Sequence, residues 1–251
     1  MKVLGIDIGG TGIKGAVVDV KRGELVTERH RIPTPKPATP SAVAKTVGKL
    51  ARHFDWDGPI GCTLPARIQK GVAKTAANID PTWIDTPVRA LFQEVTKCPV
   101  AVLNDADAAG VASMEFGAGR GRKDLVIMIT VGTGIGSAMF YRGRLIRGSE
   151  LGHLQLHGDS AEKYASDAVR KSLDLTWAEW AGRFQEYLSH VEFLFAPDLI
   201  ILGGGISRPA KTARYWSLLS TQAELVPAIL ENEAGIIGAA VTARKKARKR
   251  K

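Results

Sequence analysis

The first twenty residues, MKVLGIDIGGTGIKGAVVDV, set two β-rich runs on either side of a glycine turn, Gly9-Gly10-Thr11-Gly12. An apolar run ends in the carboxylate of Asp7, and glycines and a hydroxyl follow at once. Glycine lets backbone amides approach an anion and adopt positive φ, so that N–H groups point at phosphate oxygens. Thr11 adds a hydroxyl donor, and Asp7 is a candidate Mg²⁺ ligand, directly or through water. The continuation is decisive. Residues 13–20 are β-rich and lack helical spacing, and Lys21-Arg22-Gly23 reads as a second turn. The glycines therefore join two strands of a hairpin, which excludes the strand-to-helix turn of a dinucleotide-binding fold or a P-loop. For this segment taken alone, a glycine hairpin without a ligand is the plainer alternative.

A chain of 251 residues can bury a real core, as one large domain or two small ones. Its 45% hydrophobic and 24% charged residues are ordinary for a soluble globular protein. No apolar stretch approaches a membrane span, and Met1-Lys2 leads straight into a strand, so we expect a cytoplasmic protein with no membrane partner. Cys62 and Cys98 lie far apart, which points to reduced thiols and not to a metal site. The formal charge of +10 comes mostly from the end of the chain. Seven of the 35 basic residues fall within 244–251, leaving 28 against 25 acidic ones in the body. We expect this tail to be solvated and disordered, with no specific nucleic-acid partner.

Residues 3–32 read as three strands joined by glycine turns, followed by a proline-rich loop. Ser41 is placed as the N-cap of a helix to about Phe54, with Val43, Val47 and Leu50 on one face. Residues 60–64 form a short buried strand, and the stretch from there to Trp83 reads as irregular. A helix over 87–96, a strand over 100–103 and a small-residue helix over 106–116 come next. The pattern then restarts with strands over 125–131, 137–141 and 145–146 around a second glycine turn. This echo suggests duplicated α/β lobes around a cleft. We place an N-terminal lobe at 1–105, with a last helix from about Asn232 packing back on it (232–251), and a C-terminal lobe at 106–231.

Thr133, Gly134 and Gly136 of the second turn, Gly132-Thr133-Gly134-Ile135-Gly136, repeat the chemistry of the first and are read as phosphate-binding. A buried strand runs into Gly203-Gly204-Gly205, where a nucleotide or phosphate chain can lie on bare backbone; tight packing is the competing explanation. Asn104-Asp105-Ala106-Asp107 closes a strand and opens a helix. A carboxylate there can take the proton of an attacking hydroxyl, and a helix cap is the alternative, which suits Asp107 better than Asp105. Glu150 and His153 can chelate vicinal sugar hydroxyls, whereas a lone Glu or His is ordinarily structural or surface. Glu162 opens a helix, where a first-turn Glu is normally just dipole-favourable.

Together these segments resemble the ROK family of sugar kinases and repressors: DIGGT at Asp7, Asn104-Asp105, GTGIG at Gly132, ExGH at Glu150 and LGGGIS at Leu202, in family order. The resemblance implies an α/β, actin-like (ribonuclease H-like) fold of two lobes. It makes Asp105 the catalytic base, with Asn104, Glu150, His153 and Glu162 on the sugar. The chain departs from the family's cysteine-rich zinc motif after ExGH: Leu154-Gln155-Leu156-His157-Gly158-Asp159-Ser160-Ala161-Glu162 holds no cysteine, so no structural zinc is expected. That loss, together with the segments Thr75–Trp83, Asn104–Gly110 and Thr176–Trp180, resembles the polyphosphate glucokinase branch. A mismatch falls in the sugar loop, where Pro65 is followed by Ala66-Arg67 and not by Gly-Val.

What the resemblance implies is phosphorylation of the 6-hydroxyl of glucose by inorganic polyphosphate and ATP, with Mg²⁺, in a homodimer. Mannose is a second possible acceptor. Pro65 and Asn78 join the sugar-binding set; Asp7, Gly9, Gly10, Thr11, Gly12 and Lys14, with the residues of the two later glycine segments, join the phosphate-binding set. Cations must hold a donor that lacks base and ribose, and Lys14, Lys70, Lys74, Arg120, Arg122, Lys123, Arg142, Arg144 and Arg147 are the candidates. The alternatives are an ATP-dependent hexose kinase and a sugar-sensing protein without catalysis; Asp105 argues against the latter.

Overall fold

A computed structural model describes residues 1–76, 79–230 and 233–248. The chain divides into two units, Met1–Ala112 with Glu233–Lys251, and Ser113–Asn232.

In the first unit, β1 (Lys2–Ile8) and β2 (Ile13–Asp19) form an antiparallel hairpin from Lys2↔Asp19 to Ile8↔Ile13. β3 (Glu24–Leu25) and β4 (His30–Ile32) both pair with β2 where the sequence suggests a single strand. The ladder breaks because residues 26–29 face only Ala16 and Val17, and the Val17 amide donates to Thr27 Oγ1 at 3.0 Å. Helix α1 (Pro40–His53) is capped by Thr39, not Ser41, and opens on Pro40, whose missing N–H has no helical partner to lose. Its Val43, Val47 and Leu50 face is buried as the spacing predicts. β5 (Ile60–Leu64) lies parallel to β1. The stretch read as irregular contains a small hairpin, β6 (Ile68–Gln69) and β7 (Val72–Ala73), too short to leave a periodic signal. After α2 (Val88–Thr96), β8 (Val100–Asn104) completes the sheet in the order β3-β2-β1-β5-β8.

The C-terminal helix, Ala234–Arg248, lies directly on this sheet. A side chain at Gly5 would collide with the Ile236 carbonyl, and one at Gly61 with that of Ala239, so strand and helix backbones touch there. The helix runs on into the basic segment expected to be disordered, and Arg244 Nη1 donates to the Val20 carbonyl at 2.7 Å. Ala, Arg and Lys are strong helix formers, and cations suit a helix C-terminus.

The second unit takes in the end of α3 (Asp105–Phe116), then β9 (Val126–Val131), β10 (Ile135–Tyr141) and β11 (Arg144–Ile146). A two-residue hairpin follows, β12 (Gln155–Leu156) and β13 (Asp159–Ser160), then α4 (Glu162–Ala165), α5 (Asp167–Ser172) and α6 (Trp177–Phe195). β14 (Leu199–Gly204), α7 (Pro209–Thr212) and β15 (Glu224–Pro227) finish it, and the sheet order is β11-β10-β9-β14-β15. An antiparallel hairpin flanked by parallel strands is thus built in both units. In the Thr176–Trp180 segment, Thr176 and Glu179 form a reciprocal capping box at the start of α6, and Trp180 is fully buried with Phe184 and Tyr187. The segment is architectural.

Among the described residues no helix is long and apolar enough to cross a membrane. Both cysteines are free and buried, and burial raises each thiol above its ordinary range.

Candidate active site

The first glycine turn is braced from outside. Gly9 N–H donates to the Gly12 carbonyl at 3.2 Å, and Thr34 Oγ1 donates to that of Gly9 at 2.5 Å. Arg31, opposite Lys14 in the ladder, donates to the Thr11 carbonyl at 2.6 Å and lies over Gly12. Gly10 faces open space. Beside the turn, Thr63 on β5 accepts from the Ile8 amide at 3.0 Å and donates to Asp7 Oδ1 at 2.8 Å. Asp7 Oδ2 lies 3.8 Å from Lys14 Nζ, too far for a hydrogen bond. One carboxylate oxygen is thereby fixed by a hydrogen bond, and the other forms a longer ion pair with Lys14. A single carboxylate suits Mg²⁺ in the mode where one carboxylate and substrate phosphate oxygens share the ion. Among the described residues no group of three or more His, Cys, Asp or Glu could hold a metal.

Asn104 ends β8 and caps α3: its Oδ1 accepts from the amides of Ala106 at 2.8 Å and Asp107 at 3.2 Å. The cap is therefore Asn104, not Asp107, which is buried. Asn104 Nδ2 also donates to the Ala66 carbonyl at 3.4 Å, tying the loop after β5 to β8. Asp105 is exposed in the first turn of α3, with Oδ1 accepting from the Ala106 amide at 2.9 Å. In the same loop Pro65 is half-buried, Ala66 buried and Arg67 exposed. Asn78 lies outside the described residues.

In the second unit the turn after β9 is closed by Gly132 N–H donating to the Gly134 carbonyl at 3.0 Å, and Ala168 N–H of α5 donates to the Gly132 carbonyl at 3.1 Å. Glu150, His153 and Glu162 gather beside it. The amide of Leu151 donates to Ser137 Oγ of β10 at 2.9 Å, and a side chain at Gly152 would collide with the Ile135 carbonyl, so the segment lies flat on that strand. Glu162 Oε2 accepts from the Ile135 amide at 3.3 Å, and its Oε1 lies 3.8 Å from His153 Nδ1. Glu162 therefore links the second turn to His153, a role that first-turn position alone does not reveal.

A cavity of about 670 Å³ opens beside the second turn, lined by Gly132, Thr133, Gly205, Lys171, Arg208 and Lys211 among others. Of the three glycines at the end of β14 and just after it, Gly205 lines this cavity. Gly203 packs on Met128, and Gly204, at φ +81°, lies against the Val131 backbone, so tight packing accounts for the glycine at both positions. Asp167, nearly fully buried, holds Arg170 at 2.9 Å, Lys171 at 2.9 Å and Lys211 at 3.1 Å. Burial pushes its carboxyl pKa up, but hydrogen bonds from Lys171, Arg170 and Lys211 outweigh it and bring it to about 2. Lys171, Arg208 and Lys211 were not singled out in the sequence, nor was Arg31. Lys171 stands four residues after Asp167, a readable helical spacing, whereas Lys211 reaches the same carboxylate only through the fold.

Two of the arginines expected to grip a phosphate chain lie away from the second turn. Arg142 and Arg144 flank the far end of β10, six strand positions from Ile135, roughly 20 Å from the second turn. Arg122 is paired with Asp124 and Glu224, and Lys74 with Asp85.

Paired units, each a glycine-turned hairpin beside parallel strands, with an exposed strand-end carboxylate in the first unit, define a phosphotransferase of the actin-like fold. The chain belongs to the ROK family, whose model matches residues 3–170. A polyphosphate glucokinase of Mycobacterium tuberculosis is 46% identical over 238 residues, 94% of this chain and 89% of the relative. The crystal structure of an inorganic polyphosphate/ATP-glucomannokinase from Arthrobacter sp. strain KM is 48% identical, with a TM-score of 0.90 over 98% of this chain and 99% of that one. A ROK family glucokinase from Streptomyces griseus, solved with glucose and AMPPNP, is 25% identical, with a TM-score of 0.79 over 98% of this chain and 100% of its own.

Proposed function

We propose that this chain is a polyphosphate glucokinase, moving the terminal phosphate of inorganic polyphosphate, or of ATP, to the 6-hydroxyl of glucose. The observation that carries the donor assignment is the cation-lined cavity at the second glycine turn; similarity to polyphosphate glucokinases over 94% of the chain supports it. Phosphoryl transfer needs mainly positioning and charge stabilisation. Asp105 accepts the proton of the sugar hydroxyl as its oxygen bonds to the terminal phosphorus. The bond from that phosphorus to the bridging oxygen breaks, and the electron pair leaves with the shortened chain. Asn104, Glu150, His153 and Glu162 bind the sugar hydroxyls, with Pro65 and Asn78 shaping its loop. Amides of Gly9, Gly10, Gly12, Thr133, Gly134 and Gly136 and the Thr11 hydroxyl orient the terminal phosphate, with Lys14 beside them. Asp7 holds Mg²⁺, which when bound neutralises phosphate charge.

On this reading the enzyme works in the cytoplasm as a homodimer, without zinc, membrane or specific nucleic-acid partner, and mannose is its second acceptor. Initial rates of glucose phosphorylation with polyphosphate and with ATP, measured side by side, test it. We expect turnover with both; if polyphosphate neither donates nor competes with ATP, the donor assignment fails and a sugar kinase using ATP remains.

A further inference from the structure

Two of the sugar-binding residues proposed above, His153 and Glu162, are joined by the β12–β13 hairpin, which has only two residues in each strand and a tip formed by His157 and Gly158, both at positive φ. So short a ribbon does not hold its own shape in water. What fixes its inner end is backbone: the Ala161 amide donates to the Leu154 carbonyl at 2.8 Å, and Leu154 and Leu156 pack on the core around α6. What fixes its outer end is Glu186 of α6. Its Oε2 pairs with His157 Nε2 at 2.6 Å, and its Oε1 accepts from the Tyr164 hydroxyl at 3.0 Å.

The placement of these two partners is the informative part. His157 precedes Glu162 by five positions and Tyr164 follows it by two, so one carboxylate holds the chain on both sides of the sugar-binding Glu162. The Arg183 guanidinium lies 4.9 Å from the centre of the Tyr164 ring, and the His157 and Tyr164 rings are 4.7 Å apart. Lys163 of α4 also pairs with Asp159 of the hairpin at 3.1 Å. The bond from His157 keeps the Glu186 carboxyl below its ordinary range, while burial and Glu186 push the Tyr164 phenol above its own, so one stays an acceptor and the other a donor. Exposed ion pairs contribute little to global stability. A cluster of this composition is better suited to fixing a position, because catalytic geometry is sensitive to displacements of about 1 Å.

We propose that Glu186, with His157 and Tyr164, is a positioning cluster for sugar binding: it holds the hairpin and the first turn of α4 so that His153 and Glu162 present one geometry to the sugar. The inference rests on the proposed function for its link to glucose, but not for the clamp itself. It is tested on the full chain with Glu186→Gln, His157→Ala and the double variant, by hydrogen exchange of the 154–165 segment and by steady-state kinetics with glucose. The expected results are faster exchange confined to that segment, an unchanged melting temperature, and a KM for glucose raised about five- to tenfold with kcat and donor KM nearly unchanged. The double variant should cost no more than Glu186→Gln alone, because the pair with His157 is one of the two contacts that Glu186 makes. Exchange that stays at the wild-type rate overturns the clamp. Faster exchange with an unaltered glucose KM overturns its role in sugar positioning. If the wild-type chain fails to phosphorylate glucose with either donor, the proposed function falls, and the exchange experiment still decides the clamp.

Discussion

The two glycine turns occupy the same place in two copies of one scaffold, yet they are equipped differently. In the first unit the hairpin itself carries the charge: Asp7 and Lys14 stand opposite one another, just before and after the turn. In the second unit the equivalent ladder pair is Thr130 and Gly136, and neither is charged. Its cations come instead from neighbouring helices and the loop after β14, as Lys171, Lys211 and Arg208 around the cavity. The first hairpin thus carries its own carboxylate and ammonium, whereas the second is a bare backbone turn facing a cationic space built by other segments of its unit. The difference shows how two units with the same strand plan can be equipped with charge by different means.

The largest effect is expected at Asp105 in the first unit. Asp105→Asn keeps the shape and removes the proposed base, and we expect kcat to fall by about 10²–10⁴-fold with either donor, with glucose binding preserved. A variant retaining more than about half its turnover removes Asp105 from the mechanism.

The second unit depends on Asp167, whose folded-state pKa of about 2 lies below its ordinary 3.8. A depressed carboxyl stabilises the fold at pH above its ordinary value and loses that contribution as pH falls toward 2. Over that interval the loss amounts to roughly 2 kcal/mol. Urea midpoints of the wild type at pH 7 and pH 2 should differ by more than those of Asp167→Asn. Equal differences would mean that the three cations do not stabilise its charged form.

Arg31 gives a smaller, contrasting effect. It braces the first turn through the Thr11 carbonyl, so Arg31→Ala should lower kcat a few-fold, by about one hydrogen bond's worth, and equally with polyphosphate and ATP. Selective damage to one donor would show that Arg31 touches the chain and not only the turn.

Much of this was legible in advance for identifiable reasons. The hairpin around Gly9, the buried face of α1 and the helix after Asn104 follow from local periodicity and turn chemistry. The break between β3 and β4 did not, because Thr27 competes for a ladder amide in a way that no spacing shows. The helix over the basic end was hidden by its charge, although its residues favour helix. Motif order singles out His153 and Glu162, which the fold brings within 3.8 Å of one another. The cations around the cavity are harder to read, since proximity in sequence draws attention to Arg142 and Arg144, which strand direction carries to the end of β10 away from the second turn. Arg31 depends on strand register across that broken ladder, and Lys211 meets Asp167 across 44 residues.

On the proposed function, the cations of the second unit, and not the arginines at the far end of β10, hold the donor chain. The decisive measurement is the KM for polyphosphate and for ATP across a salt series, in the wild type, in Arg208→Ala/Lys211→Ala and in Arg142→Ala/Arg144→Ala. The polyphosphate KM of the wild type should rise more steeply with salt than that of ATP, because more phosphates are paired. In Arg208→Ala/Lys211→Ala it should rise about tenfold and lose part of that salt slope, while the far-end variant matches the wild type. A polyphosphate KM that moves with Arg142 and Arg144 but not with Arg208 and Lys211 would contradict this placement of the donor chain.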